Sequence, residues 1–177
     1  MSARIASFPP VARRDASILI LGSMPGEASL QAGQYYAHPR NAFWPIMREL
    51  LGLPESASYR DRLGALQAGG IALWDVLASC HRAGSLDSDI EPGTLVVNDF
   101  ASFFAAHGRI ALVCFNGATA ERYYRRHVDA ASEGRRIESV RLPSTSPAHA
   151  ALTLADKVAA WRRAIKPHLQ STSRASQ

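Results

Sequence analysis

Four strand-like segments, three of them short apolar runs, alternate with helix-like sequence and constrain the fold of this chain more than any other feature. Unbroken apolar runs of about four to eight residues are typical of strands that are buried on both faces of a sheet. They predict strands at about residues 16–22, 71–74 and 110–115, and the mixed segment 137–142, ended by Pro143, is predicted as a fourth strand. Helical spacing of apolar residues predicts helices at about 41–52, 58–68, 94–107 and 118–128, and a last helix that begins after Thr153 and ends at Ile165.

Strands that alternate with helices in this way form a parallel sheet that helices cover on both faces. We therefore predict an α/β fold: a three-layer sandwich with a four-stranded, mostly parallel central sheet flanked by helices. The predicted parts of the chain are an N-terminal arm at 1–14, one α/β domain at 15–167 and a flexible tail at 168–177. The arm is expected to be extended, because Pro9 and Pro10 disfavour helix. The polar segment 79–92 is expected to be an ordered loop after a brief helical turn.

Polar or glycine-containing sequence follows every predicted strand. In chain order these segments are Gly22–Gly26, Asp75, Asn116 with Gly117, and Pro143–Pro147 with His149. In open parallel sheets, ligands bind outside the carboxyl ends of the strands. The four segments therefore predict one cleft at that edge of the sheet.

The charge of the chain favours a nucleic-acid partner. The formal net charge is +5 and the sequence pI is about 9.7, which is typical of proteins that bind the phosphate backbone. Lys157 and Lys166 are the only lysines, so the other cations are arginines, which suit bidentate contacts to phosphates and base edges. A merely solvated cationic surface is the alternative that charge alone leaves open.

Other classes of protein are disfavoured. No stretch approaches the roughly 18 apolar residues of a membrane helix, and the amino terminus lacks the apolar core of a secretory signal, so we expect a cytoplasmic protein, and at this size a monomer. Cys80 and Cys114 form no C-x-x-C pair, and the histidines show no H-E-x-x-H spacing. We therefore expect neither a metal nor another cofactor, and we interpret Cys114 as a core thiol.

The first strand and the sequence after it hold the densest set of candidate site residues. Gly22, Ser23, Met24, Pro25 and Gly26 form a loop in which glycine lets the backbone approach a ligand closely. Further along come two tyrosines, a histidine, an arginine and an amide, which are Tyr35, Tyr36, His38, Arg40 and Asn41. Adjacent rings point different ways, so at least one tyrosine is expected to face a ligand, where it can stack on a base. Trp44 is assigned to the core.

Three polar residues each keep two interpretations. Asn41 is either a helix N-cap or a site residue, and the two roles are compatible. Asp75 is either a cap or loop organiser or a site residue. Asn116 is either a turn residue in the left-handed conformation or an amide that reads a base edge.

The segment with Ser144, Thr145, Ser146 and His149 invites comparison with a serine hydrolase. There is no G-x-S-x-G elbow, however, and Pro143 and Pro147 bracket the serines in an extended loop. Short hydroxyls and backbone N–H groups in such a loop more often bind phosphate oxygens.

Taken together, these motifs resemble one known family. They are Gly22-Ser-Met-Pro-Gly26, Tyr35-Tyr-Ala-His-Pro-Arg-Asn-Ala-Phe-Trp44, Trp74-Asp-Val, Arg82-x-Gly-Ser-x-Asp87, Phe115-Asn-Gly117 and Pro143-Ser-Thr-Ser-Pro147. In consistent order from about residue 8 to 166, they resemble the hypoxanthine-DNA glycosylase branch (family 6) of the uracil-DNA glycosylase superfamily. The resemblance implies the three-layer fold and the removal of a deaminated base from DNA.

Carried over to this chain, the resemblance implies that Asn41 is the catalytic polar group. The first loop and Tyr36 would border the base, Asn116 would contact it, and Pro143–Pro147 would grip the phosphates, with His149 near its tip. Two positions depart from the uracil-removing branches: Met24 stands where those carry Asp or Asn to position water, and Leu142 stands where the uracil-specific branch has His. Both departures argue against a standard uracil mechanism.

The activity predicted from this reasoning is a monofunctional DNA glycosylase in base excision repair, acting on DNA that contains a deaminated base. Hypoxanthine is favoured, with uracil or mismatched bases as further substrates. A Schiff-base route lacks its usual side chain, since Lys157 and Lys166 belong to the last helix and are expected to lie away from the motifs. The alternative from another class is a non-catalytic nucleic-acid-binding module on the same fold.

Overall fold

The structure is a computed structural model, and it describes residues 2–128 and 135–171. Its strands are β1 (Arg4–Ala6), β2 (Ile18–Gly22), β3 (Ile71–Asp75), β4 (Leu77–His81), β5 (Val96–Val97), β6 (Leu112–Asn116) and β7 (Glu138–Leu142). Its α-helices are α1 (Glu27–Ala32), α2 (Phe43–Leu51), α3 (Tyr59–Ala68), α4 (Phe100–Ala106), α5 (Ala118–His127) and α6 (Leu154–Ile165). Short 3₁₀ helices lie at Asp87–Asp89, Pro92–Thr94 and Lys166–His168.

The central sheet has the strand order β3-β2-β6-β7, and every neighbouring pair is parallel. In the middle of the sheet, Ile18 lies opposite both Ile71 and Leu112. The side chains of β2 alternate between two layers of core, because successive residues of a strand point to opposite faces. The predicted fold class is therefore confirmed, with all four strands parallel.

Helices cover both faces of this sheet. Ile18 and Ile20 belong to a core cluster with Phe43 of α2 and Trp161 of α6. Leu19 and Leu21, on the other face, share a second cluster with Phe100 of α4 and Tyr124 of α5. Cys114 is fully buried in the first cluster, as predicted for a core thiol.

Local sequence fixes where several helices begin. Ser58 with Asp61, and Thr153 with Asp156, form reciprocal capping boxes at the starts of α3 and α6, and a cap of this kind is worth about 1 kcal/mol. The Asp99 side chain accepts a hydrogen bond from the backbone N–H of Ser102. As a result α4 begins at Phe100, and the start at about residue 94 that the sequence predicts is wrong.

A second sheet was not predicted from the sequence. It is antiparallel, with the order β1-β4-β5, and it pairs Arg4 with His81 and Ile5 with Cys80. The expectation of a loop at 79–92 is therefore wrong for residues 79–81, and residues 4–6 of the expected arm form a strand. The segments 4–6 and 79–81 carry no long apolar run, and they pair with partners that are distant in sequence. The local sequence therefore gave no signal for this sheet.

Two other segments differ from the prediction. The six-residue helix α1, which ends at Gly33 in the left-handed conformation (φ 63°), is too short to show a periodic pattern. At the other end of the chain, the backbone N–H of Gln170 donates to the Gly69 carbonyl, and its side chain to the Asp15 carbonyl. The expected tail is thus anchored up to that point, and residues 172–177 lie outside the described part of the chain.

Candidate active site

One cavity of about 970 Å³ opens at the carboxyl edge of the central sheet. All fifteen residues that the sequence singled out line it: Gly22, Ser23, Met24, Pro25, Gly26, Tyr36, His38, Arg40, Asn41, Asp75, Asn116, Ser144, Thr145, Ser146 and His149. The convergence follows from the topology, because the four parallel strands end at the same edge. The predicted common cleft is present.

Gly22 is required by close packing at the end of β2. A Cβ added to it would lie 2.5 Å from Oδ1 of Asp75 and 3.0 Å from the Tyr36 hydroxyl oxygen. Any side chain would therefore collide with the Asp75 carboxyl group. The absence of a side chain on Gly22 brings the Asp75 and Tyr36 oxygens to the same corner of the cavity.

Tyr36 is held in an unusual conformation. It is the one residue other than glycine with a positive φ (54°) in the described part of the chain, and its ring stacks on Phe43 with centroids 4.1 Å apart. Its hydroxyl oxygen is buried and has no hydrogen-bond partner among the residues that the structure describes. Burial, and then the Asp75 carboxyl, raise the pKa of this hydroxyl, so it is a neutral donor.

The neighbouring Tyr35 has a structural role. Its hydroxyl donates to the carbonyl of Pro9 at 2.9 Å, and its ring meets Phe8 edge-on. Both tyrosines line the cavity, but the Tyr35 hydroxyl is already bonded to Pro9, so Tyr36 is the one with a hydroxyl left for a ligand. Trp44 is buried and donates to the Tyr35 carbonyl, in line with its assignment to the core.

Asn41 caps α2 and also lines the cavity. Its Oδ1 accepts a hydrogen bond from the backbone N–H of Phe43 at 2.9 Å. Among the described residues its Nδ2 has no partner, so this amide retains two free donors. Both interpretations of Asn41 fit the geometry, and the cap fixes the orientation of the amide.

Asp75 is buried without a partner. The residue is only 3% exposed, and its Oδ2 has no hydrogen-bond partner in the described part of the chain. Desolvation, followed by the charge of Asp87, raises the pKa of this carboxyl to about 7, against the opposing effect of Arg82. An Asp75 that capped a helix or organised a loop would hydrogen-bond to backbone N–H groups, which it does not do in the described structure.

Asn116 joins the ends of two strands. Its Nδ2 donates to Oγ1 of Thr145, and its Oδ1 accepts from the backbone N–H of Thr145, both at 2.9 Å. The carbonyl of Thr145 in turn accepts from the N–H of Ala42. The left-handed residue here is Gly117 (φ 93°) and not Asn116, so the interpretation of Asn116 as a left-handed turn residue is wrong.

The loop after β7 is stabilised by its own hydroxyl groups. The N–H of Ser146 donates to Oγ of Ser144, and the N–H of Ala148 donates to Oγ of Ser146. Neither hydroxyl is paired with a histidine, in agreement with the sequence argument against a serine hydrolase. The exposed His149 ends the loop at the mouth of the cavity.

Lys157 lies closer to this loop than expected. Its buried ammonium group donates to the carbonyl of His149 at 2.7 Å, and burial lowers the pKa of this lysine. The expectation that no lysine lies near the motifs is therefore wrong, because α6 packs behind the loop. Lys157 does not line the cavity.

Residues 9–170 match the family model described as the uracil DNA glycosylase superfamily. The chain belongs to this superfamily. It is therefore a DNA glycosylase, which confirms the class of enzyme predicted from the sequence motifs.

Individual relatives agree with this assignment. Two curated proteins named hypoxanthine DNA glycosylase are similar to the chain. The one from Methanosarcina acetivorans is 36% identical over 80% of this chain and 86% of its own length. The one from Methanosarcina barkeri is 38% identical over 66% of this chain and 73% of its own length. A solution NMR structure from Methanosarcina acetivorans, described as a candidate uracil DNA glycosylase, covers 91% of this chain and 98% of its own, with a TM-score of 0.74 and 31% identity.

Sequence reasoning missed one wall of the glycosylase's cavity, formed by the segment after β4. Ser85, Leu86 and Asp87 line it. The Ser23 hydroxyl donates to Oδ1 of Asp87 at 2.7 Å, and the N–H of Glu27 donates to Oγ of Ser85. The motif Arg82-x-Gly-Ser-x-Asp87 carried the signal, but no role had been assigned to its residues.

Met24 supplies no polar group to the glycosylase's cavity. Its side chain belongs to a small core cluster with Leu77, Cys80 and Ile90. The first loop therefore contributes backbone and the Ser23 hydroxyl to the site, and no carboxylate.

Among the residues that the structure describes, no group of three or more His, Cys, Asp or Glu side chains could hold a metal ion. Within the same residues, no helix is long and apolar enough to span a membrane.

Proposed function

We propose that this DNA glycosylase is monofunctional and hydrolyses the N-glycosidic bond of a deaminated base, hypoxanthine before uracil or a mismatched base, in base excision repair. The observation that carries the proposal is a pair of buried polar groups without a partner among the described residues, the Asp75 carboxyl and the Tyr36 hydroxyl, in the cavity that Asn41 also lines. Buried polar groups without partners cost about 1–3 kcal/mol each. A flipped base that hydrogen-bonds to them would remove that cost.

The preference for hypoxanthine is supported by the curated relatives named above, which are called hypoxanthine DNA glycosylases. A lactam edge, which hypoxanthine and uracil share, offers one acceptor and one donor, and the Asp75 carboxyl and Tyr36 hydroxyl together can supply both complements.

The size of the cavity suits a base that has left the duplex. Its volume of about 970 Å³ lies at the upper end of the usual range for small-ligand sites, which leaves room for the sugar as well as the base. Flipping costs a few kcal/mol and is least costly for a weakly paired base. Phe43 covers one face of the Tyr36 ring, so a base would stack on the other.

The rim of the cavity carries groups suited to the DNA backbone. His38, Arg40 and His149 lie there beside the hydroxyls of Ser144 and Ser146. Contacts of these types to phosphate oxygens fix the register of a protein on DNA. They would hold the strand while the base occupies the cavity.

Asn41 would act on the leaving base. Its free Nδ2 donates a hydrogen bond, and the Phe43 N–H holds its Oδ1, so the donor is preorganised. Donors fixed before the reaction stabilise charge that develops in the transition state. No lysine of the described chain lines the cavity, which supports hydrolysis by water and an abasic product over a Schiff-base intermediate.

The deciding experiment is an excision assay on duplexes that carry one inosine, one uracil, one mismatched thymine or no lesion. We expect alkali-labile sites to form fastest in the inosine duplex and more slowly in the uracil and mismatch duplexes. None should form in the undamaged duplex. Borohydride should trap no enzyme–DNA adduct. Excision from none of the duplexes would refute the proposal, and a trapped adduct would refute its monofunctional part.

Two variants of Asn41 separate its two roles. Asn41→Ala removes both the cap and the donor, whereas Asn41→Asp keeps an oxygen for the Phe43 N–H and loses the donor. Both should abolish excision with DNA binding nearly unchanged, and only Asn41→Ala should lose about 1 kcal/mol of stability through the cap. Normal excision by Asn41→Asp would move the catalytic role elsewhere.

The alternative, a non-catalytic nucleic-acid-binding module, is favoured by one observation: Met24 and the rest of the first loop provide no carboxylate. Such a module would bind inosine DNA tightly and release no base in the same assay.

A further inference from the structure

Hydrolysis requires a water molecule and a group that accepts its proton, and most polar groups of the cavity are unsuited to this task. Both polar atoms of the Asn116 amide are bonded to Thr145. The Oδ1 of Asn41 is bonded to the Phe43 N–H, and its Nδ2 can only donate. Three carboxyl groups line the cavity. Glu27 is exposed, and the imidazoles of His38 and His149 lie at the rim, which leaves Asp75 and Asp87 as the less exposed acceptors inside the cavity.

These two carboxyls have different environments. Asp75 is 3% exposed, has no partner at Oδ2 and lies against Gly22 and Tyr36. Burial raises its pKa to about 7, so near neutral pH it is protonated in a large fraction of molecules. Asp75 is therefore suited to hydrogen-bond with a flipped nucleobase and poorly suited to act as a permanently ionised proton acceptor.

Asp87 is fixed and less deeply buried. Its Oδ1 accepts from the Ser23 hydroxyl at 2.7 Å, so it sits directly against the first loop. Desolvation raises its pKa, while the Ser23 hydrogen bond and the charges of Arg82 and Arg122 oppose that rise. The pKa of Asp87 is raised overall, and the two cations and a hydrogen bond with Thr119 limit the rise.

Arg82 holds this arrangement together. Its guanidinium is buried and donates through Nη2 to the Pro25 carbonyl at 2.5 Å and through Nε to the Gly84 carbonyl at 2.8 Å. The Ser85 hydroxyl accepts from the N–H of Glu27 in parallel. The segment that carries Asp87 is thus clamped to the loop that follows β2, which fixes the carboxylate at the cavity wall.

We propose that Asp87 is the catalytic residue that positions the attacking water and accepts its proton, a role that no residue of the first loop can fill. This inference rests on the proposed function above. The water oxygen forms a bond to C1′ of the sugar as the bond from C1′ to the base nitrogen breaks. The electron pair of that bond leaves with the base, which takes a proton from solvent, and the proton of the water passes to Asp87.

The test is Asp87→Asn under single-turnover conditions, on the duplex that the parent protein cleaves best. The amide oxygen can still accept from Ser23, so the loop should keep its structure while the base function is lost. A general base contributes about 10²–10⁴-fold, and we expect the excision rate to fall by about 100-fold or more with DNA affinity within about twofold of the parent. Asp89→Asn makes the same charge change two residues away, outside the cavity, and should excise at the parent rate.

Two further readouts separate chemistry from structure. The parent rate should fall as the pH drops and Asp87 is protonated, with Arg82, Arg122 and Asp75 as the charged groups that set the midpoint; Asp87→Asn should lack this limb. Formate, a small external base, should restore part of the activity of Asp87→Ala and have no effect on Asp87→Asn, whose side chain fills the space.

The outcomes distinguish this inference from the proposed function. A parent that excises a base, together with an Asp87→Asn variant within about threefold of its rate, would overturn the role of Asp87 and leave the glycosylase activity standing. A slow variant whose pH profile matches that of the parent would also overturn it, since a purely structural role predicts that result. A parent that excises nothing refutes the proposed function itself.

Discussion

On the side of the cavity formed by β6 and β7, the polar groups are paired with one another, whereas on the side formed by β2 and β3 several are not. Asn116 and Thr145 satisfy each other, and the Thr145 carbonyl also binds the N–H of Ala42. By contrast, Asp75 and Tyr36 each leave a buried oxygen without a partner among the described residues. The first side has the properties of a scaffold and the second those of a binding surface.

The energetics of the two sides differ accordingly. A satisfied hydrogen bond adds about 1 kcal/mol to stability, whereas a buried group without a partner subtracts about 1–3 kcal/mol. Substitutions on the paired side should therefore lower stability, and substitutions on the unpaired side should lower activity while stability is kept or improved. The four predictions below test this difference.

Gly22→Ala should have the largest effect. Its Cβ would lie 2.5 Å from the Asp75 carboxyl, so the carboxyl must move from its place in the cavity. A displacement of about 1 Å in a site can cost about 10²-fold, and we expect single-turnover excision to fall by at least that factor. The control is Gly64→Ala in α3, where nothing lies within 4 Å of the new Cβ. Equal activities of the two variants would contradict the prediction.

Asp75→Asn should change the pH dependence of stability. The native carboxyl keeps its proton up to about pH 7, and its ordinary value is 3.8, so between these values the native state binds more protons and rising pH favours unfolding. For a shift of this size, the gain of Asp75→Asn over the parent should be larger at pH 8 than at pH 5 by about 3 kcal/mol. Urea unfolding at both pH values measures it. A gain that is the same at both would show that Asp75 is ionised throughout.

The central sheet and its functional edge could be predicted because both depend on local sequence. Three of the four strands, β2, β3 and β6, are apolar runs ended by glycine or a polar residue, and parallel order places the ends of the strands together. The antiparallel sheet of β1, β4 and β5 could not be predicted, since Ile5 pairs with Cys80 through contacts that no local pattern encodes. For the same reason the sequence does not reveal the position of Asp87 in the site, because that position depends on a hydrogen bond from Ser23, which is distant in the sequence.

Asn116 shows that sequence can predict which residue lies at the site without predicting what that residue contacts. An amide at the end of a strand is equally suited to a turn, a base edge or a neighbouring loop, and only the position of Thr145 decides which partner it meets. Residue type predicted that Asn116 lies at the site, and tertiary packing determined what it binds there.

Thr145→Val tests the paired side. Valine has nearly the same shape but removes Oγ1, so the Nδ2 of Asn116 loses its acceptor at a position where Thr145 is 1% exposed. We expect the free energy of unfolding to fall by about 2 kcal/mol, measured by urea titration. Thr145→Ser keeps the hydroxyl and should recover most of the loss that is due to the hydrogen bond. If Thr145→Val were as stable as the parent, this side would not be the scaffold described above.

Tyr36→Phe should change the free energy of unfolding least of the four variants. It removes a hydroxyl without a partner, whereas Thr145→Val removes one that is hydrogen-bonded. The hydroxyl that it removes is buried and makes no hydrogen bond in the described structure, so its loss breaks nothing and relieves a desolvated polar group. We expect the free energy of unfolding to stay equal or rise by up to about 1 kcal/mol, because the ring keeps its stacking on Phe43. Excision should nevertheless fall by about tenfold, the equivalent of one hydrogen bond to the bound base. A loss of stability comparable to that of Thr145→Val would mean that the Tyr36 hydroxyl belongs to the scaffold, and both sides of the cavity would then be built in the same way.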